Sequence, residues 1–346
     1  MAAIVRDSSF NRRCCDWAGA SAAGADRRLK VAAVLVGVLV AHGTWVGYSQ
    51  VGKPPGPLAA ARVRGDLHVI SGEGGNVALY VTGEGVVLVD DMFHRNHADI
   101  LAQVRTVTSQ PLRYVVNTHQ HDDHAGGNFR MLPLAEVIAH RNVRANLTDL
   151  KQPYYEDTPG TPIGLPRVTF TERLDLHLGA AEVQGHYFGR GHTSGDAIIY
   201  FPAERTIHSG DLFLSFRRPA GRPPGVPVYV DYAQGGSFVE WSRTLERALA
   251  LDFDTIIPGH GPIATRADLM AFNADLVTMR TRLAGLITTG TSRAEIVRVL
   301  EADYGWRSTG CPPTPPTPGC LQYQQVDALI AELGASAGPG AIDPSR

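Results

Sequence analysis

Residues 114–128 read YVVNTHQHDDHAGGN, so an apolar run passes directly into histidines and aspartates. In an extended chain, residues two apart point to the same side, so His119 and His121 can bind one metal ion. Asp123 and His124 can then turn toward a second ion. Three imidazoles and a carboxylate within six residues would otherwise form a costly polar cluster at a strand end. The stretch therefore predicts a metal site where a buried strand ends, with Asn117 and Thr118 capping that strand.

Three later motifs each place one further candidate ligand directly after an apolar strand. They are GRGHTSGD at residues 189–196, HSGD at residues 208–211 and PGHG at residues 258–261. Glycine brackets the ligand in each motif, which suits a tight turn that delivers a side chain from a rigid sheet into a cleft. We expect His192, Asp211 and His260 to join the histidines of the first stretch.

In this order and at these intervals, the motifs HxHxDH, GHTxGD, GD and PGHG resemble those of the metallo-β-lactamase-fold hydrolase superfamily, from about Gly65 to Arg282. The resemblance implies an α/β fold, an αββα sandwich of two mixed β-sheets with outer helices, with a binuclear site along one edge. Carried over position by position, it implies two metal sites and one bridging aspartate. The implied ligands are His119, His121 and His192 at the first site, Asp123, His124 and His260 at the second, and Asp211 as the bridge.

This ligand set contains histidine and carboxylate without thiolate, which suits two Zn²⁺ ions per chain and would also accept Fe or Mn. Two cations that share a water lower its pKa toward neutrality, and the resulting hydroxide can attack a carbonyl or phosphoryl centre. Asp123 is the expected catalytic residue, because it can orient the hydroxide and pass a proton to the leaving group. The predicted function is therefore a binuclear zinc-dependent hydrolase in which a metal-bridging hydroxide attacks a small ester, lactone, thioester or amide.

Three alternatives stay open. A mononuclear iron oxygenase of the persulfide dioxygenase type shares the HxHxDH motif. A β-lactamase with weak activity is a second alternative, since the lactam-hydrolysing branch most like this layout carries cysteine where Asp211 stands. The third is a metal-binding accessory protein without turnover. The physiological substrate and the oligomeric state are not determined by the sequence.

The charge distribution argues against nucleic acid as a partner. Residues 1–50 hold six of the 32 basic and three of the 34 acidic residues, which leaves 26 basic against 31 acidic residues in the remainder. Binding to a phosphate backbone needs a clustered basic surface instead. We therefore expect a small-molecule substrate.

The N-terminal region predicts export. Asp26-Arg27-Arg28-Leu29-Lys30 precedes an uncharged stretch at residues 31–48, which resembles a signal peptide or a membrane anchor. The expected location is periplasmic or extracellular, with membrane anchoring through residues 31–48 as the alternative to cleavage. In an exported chain, Cys311 and Cys320 are predicted to form one disulfide around a proline-rich loop.

The remaining pattern predicts the organisation of the chain. Residues 1–50 form the N-terminal extension, 51–64 a linker, 65–285 the catalytic domain and 286–346 a short C-terminal helical extension. An antiparallel meander is expected over residues 67–90, and a final helix over Leu321 to Leu333. Helix starts are predicted at Ser237 and at a capping box, Ser292 to Glu295.

Several other polar residues are assigned supporting or structural roles. Asp90 is expected to fix the neighbouring loop by hydrogen bonds, and Asp122 and Asp196 to support ligands or face solvent. The loop at residues 214–236 is expected to form a cleft wall for an anionic or aromatic substrate, or else to be a solvated loop. Its candidate residues are Arg217, Arg218, Arg222, Tyr229, Asp231 and Tyr232, with Lys151, Tyr154 and Tyr155 at the opposite rim. The histidines expected at the surface or in the core are His94, His97, His140 and His177, with His186 and His208 nearer the ligands.

Overall fold

A computed structural model describes residues 57–149, 162–215, 228–307 and 325–336. Within these ranges the chain forms thirteen strands and eight α-helices. The strands are β1 (Ala59–Arg64), β2 (Leu67–Ser71), β3 (Val77–Thr82), β4 (Gly85–Val89), β5 (Leu112–Asn117), β6 (Glu136–His140), β7 (Val168–Phe170), β8 (Arg173–Leu178), β9 (Ala181–His186), β10 (Ile198–Phe201), β11 (Thr206–His208), β12 (Thr255–Ile257) and β13 (Ala264–Thr265). The helices are α1 (His97–Val107), α2 (Asp122–Ala125), α3 (Asn128–Met131), α4 (Arg141–Thr148), α5 (Phe238–Ala248), α6 (Arg266–Thr288), α7 (Arg293–Tyr304) and α8 (Val326–Ser336).

The strands form two mixed sheets, as the sequence predicted. The first sheet runs from β1 to β7 in chain order, antiparallel from β1 to β4 and parallel from β4 to β7. The meander expected over residues 67–90 is thus confirmed. The second sheet has the order β13-β12-β11-β10-β9-β8, and in it only β11 and β12 pair in parallel.

Strand β4 shows how the sequence builds two layers at once. All five of its residues are buried, because successive side chains point to opposite faces and both faces are covered. Val87 and Val89 enter the core between the sheets, where they meet Ile199 and Phe201 of the second sheet. Val86 and Leu88 face the other way, toward the core that includes Ile100 of α1.

The outer face of the second sheet is covered by four helices. Apolar side chains of β10, β11 and β12 share one core with α5, α6, α7 and α8, including Trp241, Leu276 and Leu329. The layers are therefore helix, sheet, sheet and helix, which is the predicted αββα sandwich. The C-terminal helices complete this core, so the extension expected beyond residue 285 is packed into the sandwich.

Some elements begin elsewhere than expected. Strand β1 lies inside the stretch assigned to a linker and pairs antiparallel with β2. Its alanine-rich sequence gives no alternating apolar pattern, so periodicity did not reveal it. Helix α5 begins after Ser237 as predicted. At α7, Ser292 accepts a hydrogen bond from the backbone of Glu295, whereas the reciprocal capping box occurs at Thr265 and Asp268 of α6.

Helix α8 spans Val326–Ser336, whereas the sequence placed the last helix over Leu321 to Leu333, and residues 321–324 lie outside the described ranges. Several other predictions also concern residues outside the described ranges. They concern the export signal or anchor at residues 31–48, Lys151, Tyr154, Tyr155, Arg217, Arg218, Arg222, Cys311 and Cys320. Among the described helices, none has both the length and the apolar character needed to span a bilayer.

Candidate metal centre

The first candidate ligands follow β5, the strand that ends at Asn117. His119 is fully buried, and His121 keeps an extended backbone, with φ −61° and ψ 148°, as the N-cap of α2. The chain then turns into a single helical turn that carries Asp123 and His124. The change from extended to helical backbone directs the two halves of the motif differently, as the spacing predicted.

The other three ligands come from the second sheet. His192 follows β9, Asp211 lies in a 3₁₀ turn after β11, and His260 follows β12. Strands β9 and β11 are each antiparallel to β10, and β12 is parallel to β11, so these three strands point the same way. Their carboxyl ends therefore lie at one edge of the sheet.

The seven side chains form three overlapping groups whose ligand atoms lie within 4.8 Å of one another. The three-histidine group contains His119, His121 and His192. The middle group contains His119, His124 and Asp211, and the aspartate–histidine group contains Asp123, His124 and His260. Every side chain singled out as a ligand from the sequence thus belongs to at least one group.

Hydrogen bonds on the far side of the rings fix which nitrogen of each histidine faces the cluster. His192 Nδ1 lies 2.7 Å from the backbone oxygen of Tyr229, so Nδ1 carries the hydrogen. The far nitrogen of His121, Nε2, lies 2.9 Å from a carboxylate oxygen of Asp231. A carbonyl or carboxylate oxygen only accepts, so the opposite ring nitrogens are left with lone pairs.

Those lone pairs make the three-histidine group suitable for a cation. His192 Nε2 lies 2.9 Å from His121 Nδ1, so two acceptor nitrogens face each other at hydrogen-bond distance. His119 donates from Nδ1 toward Thr118 Oγ1 at 3.1 Å, and its buried Nε2 has no hydrogen-bond partner among the described residues. A buried acceptor without a partner, such as His119 Nε2, is costly, and a metal ion would bind all three nitrogens.

Asp211 lies between the groups. Its Oδ1 is 3.1 Å from His124 Nε2 and 3.4 Å from His260 Nε2, while its Oδ2 is 3.6 Å from His192 Nε2. One carboxylate therefore reaches ligands from both ends of the cluster, which is the arrangement expected of a bridging ligand.

The protonation states differ across the cluster. Burial, with the nearby His121, lowers the pKa of His192 to about 4, so this ring is neutral at pH 7, as metal binding requires. Burial also opposes charge on His260, but Asp211 and Asp123 raise its pKa to about 9. In the aspartate–histidine group, the carboxylates of Asp211 and Asp123 therefore favour a positive charge on His260.

Asp90 holds the loop after β5, as predicted. Its carboxylate accepts hydrogen bonds from the backbone and hydroxyl of Thr118 at 2.7 and 2.8 Å, and from His124 Nδ1 at 2.7 Å. Its backbone has a φ of 65°, a region that non-glycine residues seldom adopt. Asp90 thus supports the ligands through His124 Nδ1, the ring nitrogen that faces away from the cluster.

Two glycines allow the backbone to approach the ligands closely. A Cβ atom at Gly75 would lie 2.3 Å from the ring of His124, and one at Gly259 would lie 2.0 Å from Asp211 Oδ1. Neither position has room for a side chain, so the glycines are required by the packing of the cluster.

Sequence reasoning missed Asn76 as a supporting residue. Its side-chain amide donates to the backbone oxygens of Pro258 and Gly261, and its backbone oxygen lies 2.9 Å from His208 Nε2. It therefore ties the turn before β3 to the loop that carries His260. The only signal was its place after a glycine pair, which is too common to identify a site.

The remaining polar candidates lie outside the three ligand groups. Asp196 closes the turn after His192 by accepting from the backbone and hydroxyl of Thr193 at 2.9 and 2.6 Å. Asp122 is buried but joins none of the three groups. His140 stacks on Tyr187 and His186 on Phe188, while His177 is exposed and His94 and His97 are half-buried.

Comparison with known proteins agrees with this geometry. The family model of the metallo-beta-lactamase superfamily matches residues 70–260, more than half of the chain. The metallo-beta-lactamase type 2 of Bacillus cereus is 26% identical over 221 residues, 60% of this chain and 76% of that protein. The alpha subunit of 2,4-dinitroanisole O-demethylase from Nocardioides sp. (strain JS1661) is 26% identical over 151 residues, 44% of this chain. The match spans only 41% of that relative's length.

Solved structures show the same architecture. The crystal structure of DIM-1 metallo-beta-lactamase aligns with a TM-score of 0.52 and 19% identity, covering 65% of this chain and 99% of that chain. A metallo-beta-lactamase from Pontibacter korlensis aligns with a TM-score of 0.52 and 18% identity, covering 63% and 98%. At these identities the likeness concerns the fold, and it confirms the αββα sandwich.

Proposed function

Because the chain belongs to the metallo-beta-lactamase superfamily, we propose that it is a hydrolase that holds two zinc ions and cleaves a small ester, lactone, thioester or amide. The observation that carries this proposal is the set of three overlapping ligand groups, joined by His119, His124 and Asp211. The ligand atoms are histidine nitrogens and carboxylate oxygens, without thiolate, which supports zinc. Separate ligand groups at the two ends of the cluster support two ions.

The bound metals would supply Lewis acidity, which polarises the substrate and lowers the pKa of water. The chain's own residues would position these reactants. Asp123 is the most exposed of the seven ligands, with 14% of its side chain accessible, and its Oδ2 lies 3.2 Å from His260 Nε2. A carboxylate at the mouth of the cluster can hold a proton and pass it to the leaving group.

The substrate class is proposed from the relatives and from the charge balance of the chain. The Bacillus cereus relative is a beta-lactamase, and the Nocardioides relative is a 2,4-dinitroanisole O-demethylase subunit. Relatives of similar identity thus act on different substrates, so a panel is required rather than one lactam. A small-molecule substrate also agrees with the acidic balance of the chain after residue 50.

Export is proposed from the sequence. Residues 31–48, which follow a basic segment, would direct the chain to the periplasm or the outside of the cell, or anchor it in the membrane. A fusion of residues 1–50 to a reporter that is active only after export would report this directly, and a fusion that accumulates in full without reporter activity would contradict it.

The function is tested on the full chain purified without chelator. We expect about two zinc ions per chain by elemental analysis, and chelator-sensitive turnover of chromogenic esters, lactones, thioesters, lactams or 2,4-dinitroanisole. One iron per chain with oxygen-dependent turnover would support the mononuclear oxygenase instead. Two zinc ions without turnover of any substrate would support an accessory protein.

A variant pair locates the chemistry. Replacement of Asp123 by asparagine removes a proton-accepting carboxylate, and we expect turnover to fall by about 100-fold or more. The matched control is His177→Ala, because His177 is an exposed histidine outside the three groups. Equal turnover in the two variants would contradict a catalytic role for Asp123.

A further inference from the structure

The segment at residues 228–232, here called the strap, supplies the far-side partners of two ligand histidines. Tyr229 provides the backbone oxygen that lies 2.7 Å from His192 Nδ1. Asp231 provides the carboxylate that lies 2.9 Å from His121 Nε2, and its backbone nitrogen donates to the oxygen of His192 at 2.8 Å. The orientation of two rings in the three-histidine group therefore depends on where the strap lies.

The strap is held by the residue that precedes helix α8. Gln325 is buried, and its side-chain amide donates to the oxygen of Val228 at 2.9 Å. Its amide oxygen accepts from the nitrogen of Val230 at 2.6 Å. The two bonds bracket Tyr229, so one side chain fixes the peptide units on either side of the residue that holds His192.

A residue of α8 itself holds the end of the strap. Glu332 accepts from the hydroxyl of Tyr232 at 2.8 Å. It also accepts from the hydroxyl of Ser237 at 2.5 Å and from the backbone nitrogen of Phe238 at 3.0 Å, at the start of α5. The carboxylate thus fastens the strap to the first turn of α5, where a negative charge is favoured.

Apolar packing adds to these contacts. Val228 and Val230 are buried in the same core as Leu329 and Leu333 of α8. By contrast, His124 in the other two groups gives its Nδ1 hydrogen to Asp90, which follows a strand of the first sheet. The far ends of the cluster are therefore supported from different parts of the chain.

We propose that α8 is a positioning element for the three-histidine group, with Gln325 and Glu332 as positioning residues that set the rings of His192 and His121 through the strap. The proposal that these residues position the two rings rests on the contacts above, whereas the expected effect on metal affinity rests on the proposed function. Removal of a residue that hydrogen-bonds to a metal ligand typically lowers metal affinity by about 10–100-fold.

The test uses three variants of the full chain. Gln325→Met keeps the length of the side chain and removes both hydrogen bonds to the strap. Glu332→Gln is a milder change that replaces one accepting oxygen by a donor. Asp327→Asn is the matched control, because Asp327 lies on the same helix and pairs with the exposed Arg293.

The first measurement is the ring N–H signals of ¹⁵N-labelled histidine, recorded on the chain as purified and after chelator treatment. We expect the His192 Nδ1–H and His121 Nε2–H signals to be lost through exchange with water in Gln325→Met. They should weaken in Glu332→Gln and persist in Asp327→Asn. Unchanged signals in both strap variants would overturn the proposal, even if the protein binds no metal.

The second measurement is zinc affinity by competition with a chromogenic chelator. We expect one of two zinc ions to bind about tenfold more weakly in Gln325→Met, while the other keeps its wild-type affinity. An equal loss of both ions in all three variants, with a lower unfolding temperature, would make α8 merely structural and overturn the proposal. Absence of zinc from the wild-type chain would refute the proposed function, and the ring signals would still decide the positioning role.

Discussion

At the scale of single residues, the centre is defined as much by the partners behind the ligands as by the ligands. Tyr229, Asp231 and Asp90 each accept a hydrogen from the far nitrogen of one ligand histidine. These bonds select the tautomer that turns a lone pair toward the cluster. The orientation of these three rings is therefore set by the chain itself.

Replacement of Asp90 by asparagine tests this point. Asparagine keeps the size of the side chain and tolerates the left-handed backbone, but it cannot accept from Thr118 and His124 as the carboxylate does. We expect metal affinity at the aspartate–histidine group to fall by about 10–100-fold. Competition with a chromogenic chelator measures this fall.

The neighbouring residue provides the control. Asp91 is also buried, and its Oδ1 accepts from the nitrogen of Gly127 at 2.9 Å. Burial and the charge of Asp90 raise the pKa of Asp91 well above its usual value. Asparagine keeps an oxygen that can accept from Gly127, and we expect Asp91→Asn to keep its metal and to alter stability by less than about 1 kcal/mol. Equal metal loss in both variants would contradict the role of Asp90.

Residue-level prediction succeeded where a pattern carried the chemistry. His119, His121, Asp123 and His124 occur within six residues, and such a cluster has few structural explanations. Asn76 and Gln325 could not be found in this way, because each acts through hydrogen bonds to distant backbone. The partners lie 182 and 185 positions from Asn76, and 95 and 97 positions from Gln325. Amide side chains of this kind are common in any sequence.

At the scale of elements, the site depends on close approach between loops. Gly75 lies before β3, and the ring of His124 lies where its side chain would be. The loop that carries His260 is tied to the same turn through Asn76. Two sheets therefore meet through backbone atoms at the edge that holds the ligands.

Replacement of Gly75 by alanine should disturb this contact. The new Cβ would lie 2.3 Å from His124 Cε1, so the ring or the turn must shift. We expect a loss of about 1–3 kcal/mol in the free energy of unfolding, together with weaker metal binding. Chemical denaturation and metal analysis of the same preparation measure both effects.

Gly285→Ala is the matched control for that variant. Gly285 is exposed within α6, and a Cβ there would meet nothing within 4 Å. Alanine is the better helix former, so we expect a gain of about 0.5–1 kcal/mol with metal binding unchanged. A destabilised Gly285→Ala would show that the expected cost at Gly75 is not specific to the site.

Elements were predicted well where the periodicity was strong. The apolar strands β4 and β5 and the start of α5 at Ser237 were identified because burial and capping both leave local signals. Strand β1 was missed because its alanines carry no alternation, and its place in the sheet is set by pairing with β2. Long-range pairing of this kind leaves no mark on the short segment itself.

At the scale of the whole molecule, metal should stabilise the folded chain. The seven ligands come from both sheets, so an ion bound to them is held only by the native state. A ligand at about 1,000 times its dissociation constant adds about 4 kcal/mol of stability. We expect removal of metal by chelator to lower the unfolding temperature by about 10 °C, and added zinc to restore it.

Calorimetry on metal-free and zinc-loaded protein measures this shift. A chain without its metal that unfolds at the same temperature would indicate that the histidines and aspartates satisfy one another without an ion.

The layered architecture was predicted in full, because four ordered motifs identified the superfamily fold. The packing of α7 and α8 into the sandwich was not, since their apolar positions did not show which surface they cover.

The spread of the ligands from residue 119 to residue 260 bears on how the protein is made. At translation rates of about 5–20 residues per second, His260 leaves the ribosome roughly 7–30 s after His119. The strap leaves the ribosome between these two histidines, and Gln325, which holds it, leaves after His260. A newly synthesised chain must therefore complete both sheets and dock α8 before the centre is whole, so we expect metal loading to be a late step in its maturation.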